Sequence, residues 1–520
     1  MSGRPFILLS VVAVVGCVVG PDPQRPAVAV TPADAYVADP VETDAEPERI
    51  AGWWRRFGDP LTEELVERAL VGNTDAEAAA ATVLEARAIL AARTSSRLPA
   101  ATFGADVSRQ SLSLALPTGR ENFINSAYDL SLNVGWQADL FGKLRRAQQA
   151  AAARLVAAEA DRVATLHSVV SETIRARVAL ATARLQLELA EANVTSLRDT
   201  RRTVEAFYEA GGGVGDVSAL DVRLARQNVA AAVAQVPPLR RNLVTSELTL
   251  AVLLGVRPGT LPPVPGTLDA LPAFGPPPPG LPVELLDRRP DLVASEFRAL
   301  AAQAEIGVEV ADLFPDLTLT GSAGYTSAEL NDVLDPTSQT WNLAASLLQP
   351  LFDGAGQVGE IEAARAAAQR EAADYRGLVL RALQEVEAAL AAERLTRQEL
   401  AALTESLAEA EAAETLARDR YERGLAGLLE VFEAERRRRN AEVSLVAARQ
   451  GVWEARIDLH LALGGDWELP ARPVGRDTTL TGPMREPGWP TLKPGLTLPL
   501  PGADGLDLND SVHDSEADDE

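Results

Sequence analysis

Tyr128-Asp-Leu-Ser-Leu-Asn-Val-Gly-Trp-Gln-Ala-Asp-Leu-Phe141 alternates apolar and polar residues from Tyr128 to Leu140 without a break. A period of two gives a sheet two unlike faces, whereas a helix would need apolar residues three or four apart. Shorter stretches repeat the pattern: Phe103, Ala105 and Val107; Leu317, Leu319, Gly321, Ala323 and Tyr325; and Trp341, Leu343, Ala345 and Leu347. These predict four strands in two hairpins, spanning 101–141 and 317–352. Their polar faces carry Ser, Thr, Asn and Gly. Tyr128, Tyr325 and Trp341 at strand ends suit a membrane interface, although the pattern alone also fits a half-buried soluble sheet.

Outward from the strands, the chain reads as a duplication with a period of roughly 210 residues, recognised by paired landmarks in one order. Leu98-Pro99 answers Phe314-Pro315, and Leu140-Phe141-Gly142 answers Leu351-Phe352-Asp353-Gly354. Tyr208-Glu-Ala-Gly211 answers Tyr421-Glu-Arg-Gly424, and Leu254-Gly255 answers Leu463-Gly464. The copies are 61–257 and 283–467, joined by a proline-rich linker at 258–282. Each runs helix, strand, strand, long helix, turn, helix. No proline occurs between Gly142 and Tyr208, and Val163, Leu166, Val170, Ile174 and Val178 step by three or four, so this stretch predicts one helix on the order of 100 Å long. A second runs from Gly356 to Tyr421. Shorter helices are expected at about 61–97, 216–254, 290–313 and 428–463, with alanine allowing close, coiled-coil packing.

The composition excludes several functions. The 520 residues carry 49 Lys and Arg against 74 Asp and Glu, a net charge of −25 that repels nucleic acid. One Cys and three His allow neither an intrachain disulfide nor a Cys/His zinc site. There is no phosphate-loop, Gly-x-Ser-x-Gly or His-Glu-x-x-His motif; the cluster Gly211 to Gly215 lacks the following Lys-Ser/Thr, and His167 and His460 read as helix residues with structural roles. The Arg436 to Arg439 run reads as a solvated face beside Glu433 and Glu435, with interfacial salt bridges as the alternative. No enzyme activity, cofactor or metal is expected.

At the amino terminus, an apolar run from Phe6 to Val15 precedes Gly16-Cys17, the layout of an export signal too short to span a bilayer. It resembles a bacterial lipoprotein signal, with residues 1–16 removed and Cys17 acylated; a buried thiol is the alternative. Residues 17–60 read as an extended, lipid-anchored linker and 468–520 as a disordered acidic tail. No later stretch could cross a membrane as a helix, so any second entry must be as a barrel. Four strands would leave two unpaired edges in lipid, and so several chains must share one sheet. Two chains would give eight strands with a filled interior; three give twelve, enough for a water-filled lumen.

In order, the landmarks Cys17-Val-Val-Gly-Pro21, Trp53-Trp-Arg-Arg-Phe-Gly-Asp-Pro60, Glu85-Ala-Arg-Ala88, Trp136-Gln-Ala-Asp-Leu-Phe-Gly142, Leu285-Leu-Asp-Arg-Arg-Pro-Asp291, Pro350-Leu-Phe-Asp353 and Ala462-Leu-Gly-Gly-Asp-Trp467 resemble the TolC-like outer-membrane efflux proteins. The resemblance is to their lipid-anchored type, which serves resistance-nodulation-division pumps. It implies a mainly α fold with a membrane β-barrel: a homotrimer with four strands per chain and a twelve-stranded barrel in outer-membrane lipid, continued by periplasmic coiled-coil helices. It also implies a periplasmic adaptor and an inner-membrane pump as partners. Gly142, Pro350 and Gly354 would mark the passage from barrel to helix. The helical tips, which in the family form a closable aperture and meet the adaptor, would fall at Tyr208, Glu209, Gly211, Asp216 and Asp221, and at Tyr421, Glu422, Gly424 and Glu430. Ala426 stands where some relatives carry an acid. The alternative is a periplasmic lipoprotein scaffold of coiled coils without a channel.

Overall fold

The computed structural model describes residues 18–28, 52–116, 119–210, 217–268 and 285–465, all within one unit that runs from Met1 to Arg472. Cys17, the Gly211 to Asp216 cluster, residues 269–284 of the linker and the acidic tail lie outside the described residues.

The elements are α1 (Pro60–Gly72), α2 (Thr74–Ser95), β1 (Ala100–Leu116), β2 (Gly119–Ala138), α3 (Lys143–Glu209), α4 (Ala219–Leu253), α5 (Leu285–Arg288), α6 (Pro290–Ala311), β3 (Asp316–Ser327), β4 (Gln339–Leu348), α7 (Gly356–Glu422) and α8 (Leu428–Ala462). The duplication is closely kept in helix length. The pairs α2 and α6, α3 and α7, and α4 and α8 contain 22, 67 and 35 residues in each copy.

The strands pair antiparallel in the order β1-β2-β3-β4, leaving β1 and β4 as edges. Register gathers like residues into rows across all four strands. One row is Thr102, Asn133, Ser322 and Asn342; the next is Phe103, Leu132, Ala323 and Trp341. Successive residues point to opposite faces, so polar and apolar rows alternate and the four-stranded part of the sheet is amphipathic. Phe103, Val107, Trp341, Leu343 and Leu347 are exposed on the apolar face. β1 continues to Leu116, further than its pattern suggests, because the apolar phase slips at Arg109-Gln110-Ser111 and resumes on the even positions Leu112, Leu114 and Leu116.

Between sheet and helix the chain turns a corner. In the first copy Gly142 takes φ +84°, and Asp139 accepts from the Leu144 and Arg145 amides at 3.1 and 3.0 Å, satisfying free donors of α3. The second copy does the same from a shifted position. Gly354 and Ala355 take φ +68° and +72°, and Asp353 accepts from the Ala355 and Gln357 amides at 3.1 and 2.6 Å. Phe141 stacks on Phe314 at 4.7 Å, joining the corners of the two copies.

Two sequence expectations are revised. The helix read over 61–97 is broken at Asn73, whose side chain accepts from the Asp75 and Ala76 amides and starts α2 as a separate helix. The linker read as extended over 17–60 contains a short 3-10 helix, Trp53–Phe57, whose rings are buried against α3 and α8, with Trp53 stacked on His460 at 4.8 Å. Aromatic burial there outweighs the proline-rich, acidic composition around it. Beyond the first repeat, Val264 and Leu268 are likewise buried on the helices. Residues 18–28 do form an extended strap. The Val19 amide donates to Phe141 O at 3.1 Å, Asp22 pairs with the buried Arg146 at 2.8 Å, and Arg25 pairs with Glu296 at 3.3 Å.

Candidate functional site

The ends of the long helices farthest from the sheet hold most of the expected tip residues. At the second tip, the Gly424 amide donates to Tyr421 O at 2.9 Å and the Leu425 amide to Arg420 O at 2.8 Å, with Gly424 at φ +73°. This is the Schellman end, in which only glycine enters the left-handed region cheaply. Gly255 and Gly464 end α4 and α8 in the same way, which explains the paired Leu-Gly landmarks. At the first tip, α4 begins with a reciprocal box: the Ser218 amide donates to Asp221 Oδ2 at 2.8 Å, and the Asp221 amide to Ser218 Oγ at 3.3 Å.

The structure brings Asp221 and Tyr421 together. Val204, Val222, Ala225 and Leu428 form one apolar cluster with Tyr421 and Phe432 packed against it, and the Phe207 and Tyr421 rings lie 6.3 Å apart. Burial, and then the nearby Asp221 carboxylate, push the Tyr421 phenol above its usual pKa of 10. Tyr208, Glu209, Glu422, Gly424 and Glu430 are exposed around this cluster, with Glu430 3.7 Å from Arg420. Gly142, Pro350 and Gly354 lie at the other end of the long helices, at the sheet-to-helix corners.

Behind the tips lies an ionic cluster that helical periodicity did not reveal. Arg418 of α7 donates to Glu435 of α8 at 2.9 Å and to Ser196 Oγ of α3 at 3.0 Å, and also pairs with Glu414 at 2.8 Å. Thr200 of α3 donates to the same Glu435 oxygen at 3.1 Å. Arg438 pairs with Glu414 and Glu442, and Arg439 donates to Asn193 Oδ1 at 3.0 Å. Burial pushes Glu442 up and Arg439 down from their usual pKa values. The arginine run is therefore divided. Arg436 and Arg437 lie on the solvated face and hold Glu433 down at about 2 through hydrogen bonds, while Arg438 and Arg439 tie helices together.

The acidic residues are not confined to exposed faces, since Glu393, Glu414 and Glu435 are buried. Glu393 holds the buried Arg456 at 3.1 Å. His167 is buried beneath Gly465, and desolvation lowers its pKa to about 4. Among the described residues there is no group of His, Cys, Asp or Glu that could hold a metal, and no helix is long and apolar enough to cross a membrane. What this end of the molecule offers is a clasp of charges between three helices, with apolar packing below it.

The family model for outer membrane efflux proteins matches residues 65–256 and 281–465. The chain belongs to that family. It is 32% identical over 471 residues to the probable efflux pump outer membrane protein SepC of Pseudomonas putida, covering 88% of this chain and 95% of SepC. Among solved structures, it is similar to the outer-membrane channel OprN, with TM-score 0.79, 31% identity, and 86% and 99% of the two chains covered. The open state of the Neisseria gonorrhoeae MtrE outer membrane channel gives TM-score 0.77 at 26% identity, covering 86% and 98%. The four-stranded sheet and long helices are thus those of a TolC-like channel protomer.

Proposed function

We propose that this protein is the outer-membrane channel of a tripartite efflux system. It passively conducts substrate delivered by an inner-membrane pump through a periplasmic adaptor. The observation that carries the reading is the sheet: apolar rows gather on one face and polar rows on the other across four strands, with both edges left open. Open edges in lipid leave several kcal/mol of unsatisfied backbone per group, roughly, which association removes. Three copies give twelve strands around a wet lumen lined by the row of Thr102, Asn133, Ser322 and Asn342 and the polar rows beside it. A scaffold of coiled coils would have no use for such a sheet.

The helices continue the conduit into the periplasm, each long one about 100 Å. The tips carry the aperture and the adaptor contact. Glu209, Asp216, Asp221, Glu422 and Glu430 supply its charge, Gly424 supplies the turn of the second tip, and Gly211 belongs to the adaptor-facing set. Cys17 is the lipid attachment site. The Val19 amide is bonded to the sheet-to-helix corner at Phe141, so an acyl chain on Cys17 would emerge at the inner face of the bilayer. Mass spectrometry of the N-terminal peptide should show acylated Cys17, and Cys17→Ser should lose it.

Fractionation tests the channel reading. The protein should be in the outer membrane, run faster on gels before heating than after, and crosslink to an adaptor through a photoreactive group at Glu422. A strand-poor protein with unchanged migration on heating would favour the scaffold.

A further inference from the structure

Within one chain the helices pack in series, α2 on α3, α3 on α6 and α6 on α7, so α2 and α7 end the row just as β1 and β4 end the sheet. Because α2 matches α6 and α7 matches α3 residue for residue in length, the α3/α6 contact is a template for α7 meeting α2 of a second protomer. In that template two ion pairs, Arg154 with Glu305 and Asp161 with Arg298, bracket a small buried residue on each helix, Ala157 on α3 and Ala301 on α6.

Transferring each position by its rank in its helix gives an inverted pattern. Arg154 and Glu305 become Ala367 and Ile89. Asp161 and Arg298 become Asp374 and Thr82. The central alanines become Arg370, fifteenth in α7, and Glu85, twelfth in α2. Both are exposed in the single chain. Arg370 bonds there to its neighbour Glu371 at 3.0 Å, and Glu85 makes no ion pair among the described residues.

We infer that Arg370 of one protomer pairs with Glu85 of the next, forming the ionic centre of a helical seam that repeats the internal α3/α6 contact between copies of this chain. The occupant is argued from two features: opposite charges arise at matched ranks, and α2 carries Ile89 and Thr82 where α6 has both of its flanking charges, while α7 keeps only Asp374. The inversion discriminates between the two interfaces. α2 placed against α3 of its neighbour would set Glu85 on Ala157, burying an unpaired carboxylate. The same transfer along the sheet sets Leu347 opposite Ala105 and Ala345 opposite Val107 of the next protomer, keeping apolar rows on one face.

The inference rests on the trimer reading, and the experiment separates the two. Full-length protein in detergent carrying Glu85→Cys and Arg370→Cys is oxidised and run without reductant, beside each single-cysteine variant, with native mass measured by light scattering. A three-chain mass with a ladder to covalent trimers in the double variant only supports the seam. A three-chain mass without the ladder overturns the seam and leaves the trimer standing; a single-chain mass overturns both. As a second readout, Glu85→Arg and Arg370→Glu should each lower the recovered trimer at least twofold, and the double exchange should restore it. Failure of the exchange to restore it, with both single variants folded, would contradict the pairing.

Discussion

Arg418 Nη2 on α7 lies 2.9 Å from Glu435 Oε1 on α8, and both side chains also bond to α3, at Ser196 and Thr200. One ion pair therefore holds the α7/α8 pair against the α3/α4 pair just behind the tips. Opening the tips by moving one pair away from the other would break it. Arg418→Ala or Glu435→Gln should raise leak severalfold, read as conductance or sensitivity to a large antibiotic. Arg436→Ala, which loses only the solvent-exposed pair with Glu433, should leave leak unchanged. Equal leak in all three would remove the clasp from any role in closure.

His167 predicts a pH dependence. Its folded pKa, about 4, is below the ordinary 6.5, so the folded protein binds fewer protons than the unfolded chain between those values. Its contribution is intact above pH 6.5 and is lost as pH falls toward 4, amounting to about 3 kcal/mol at most. Melting curves in detergent should show His167→Leu losing less stability than the parent across that window. Parallel curves would show that the histidine does not titrate as described.

Glycines at helix ends give a steric test. Gly255 has φ +66°, and a Cβ there would lie 1.8 Å from Gly72 O. Gly255→Ala should cost more than the roughly 1–2 kcal/mol of the left-handed conformation alone. Gly427, the N-cap of α8 at φ −81° with nothing near its Cβ position, should accept alanine at a cost of no more than about 1 kcal/mol from the weaker cap, less than at Gly255.

The two faces of β4 should respond oppositely to charge. Leu343 lies in the apolar set and Asn342 in the polar row. Leu343→Arg should destabilise the folded barrel by about 2–4 kcal/mol if it meets the bilayer midplane, whereas Asn342→Arg should fold normally and alter ion selectivity. Urea titration of heat-modifiable migration reads the first effect, and reversal potential the second.

Much of this architecture was legible in local patterns. The alternation in β2 and the proline-free stretch of α3 each fix an element by its own period, and paired landmarks such as Leu254-Gly255 with Leu463-Gly464 exposed the duplication because both need a left-handed glycine. The clasp was not legible. Arg418 and Ser196 are 222 residues apart and meet only once the relative rotation and stagger of α3 and α7 are fixed, which no single-helix pattern encodes. The arginine run showed the same limit, since Arg437 and Arg438 are neighbours in sequence yet face solvent and a helix interface respectively. The break at Asn73 did carry a signal, a Gly-Asn pair, but helical pattern on either side, alanine-rich beyond it, hid the break.

Single-channel recording on the purified protein in a planar bilayer tests the channel most directly, with the parent compared against Arg418→Ala. Small, infrequent openings from the parent and large, sustained ones from the variant are predicted. A folded, inserted trimer that passes no current in either form would contradict the account.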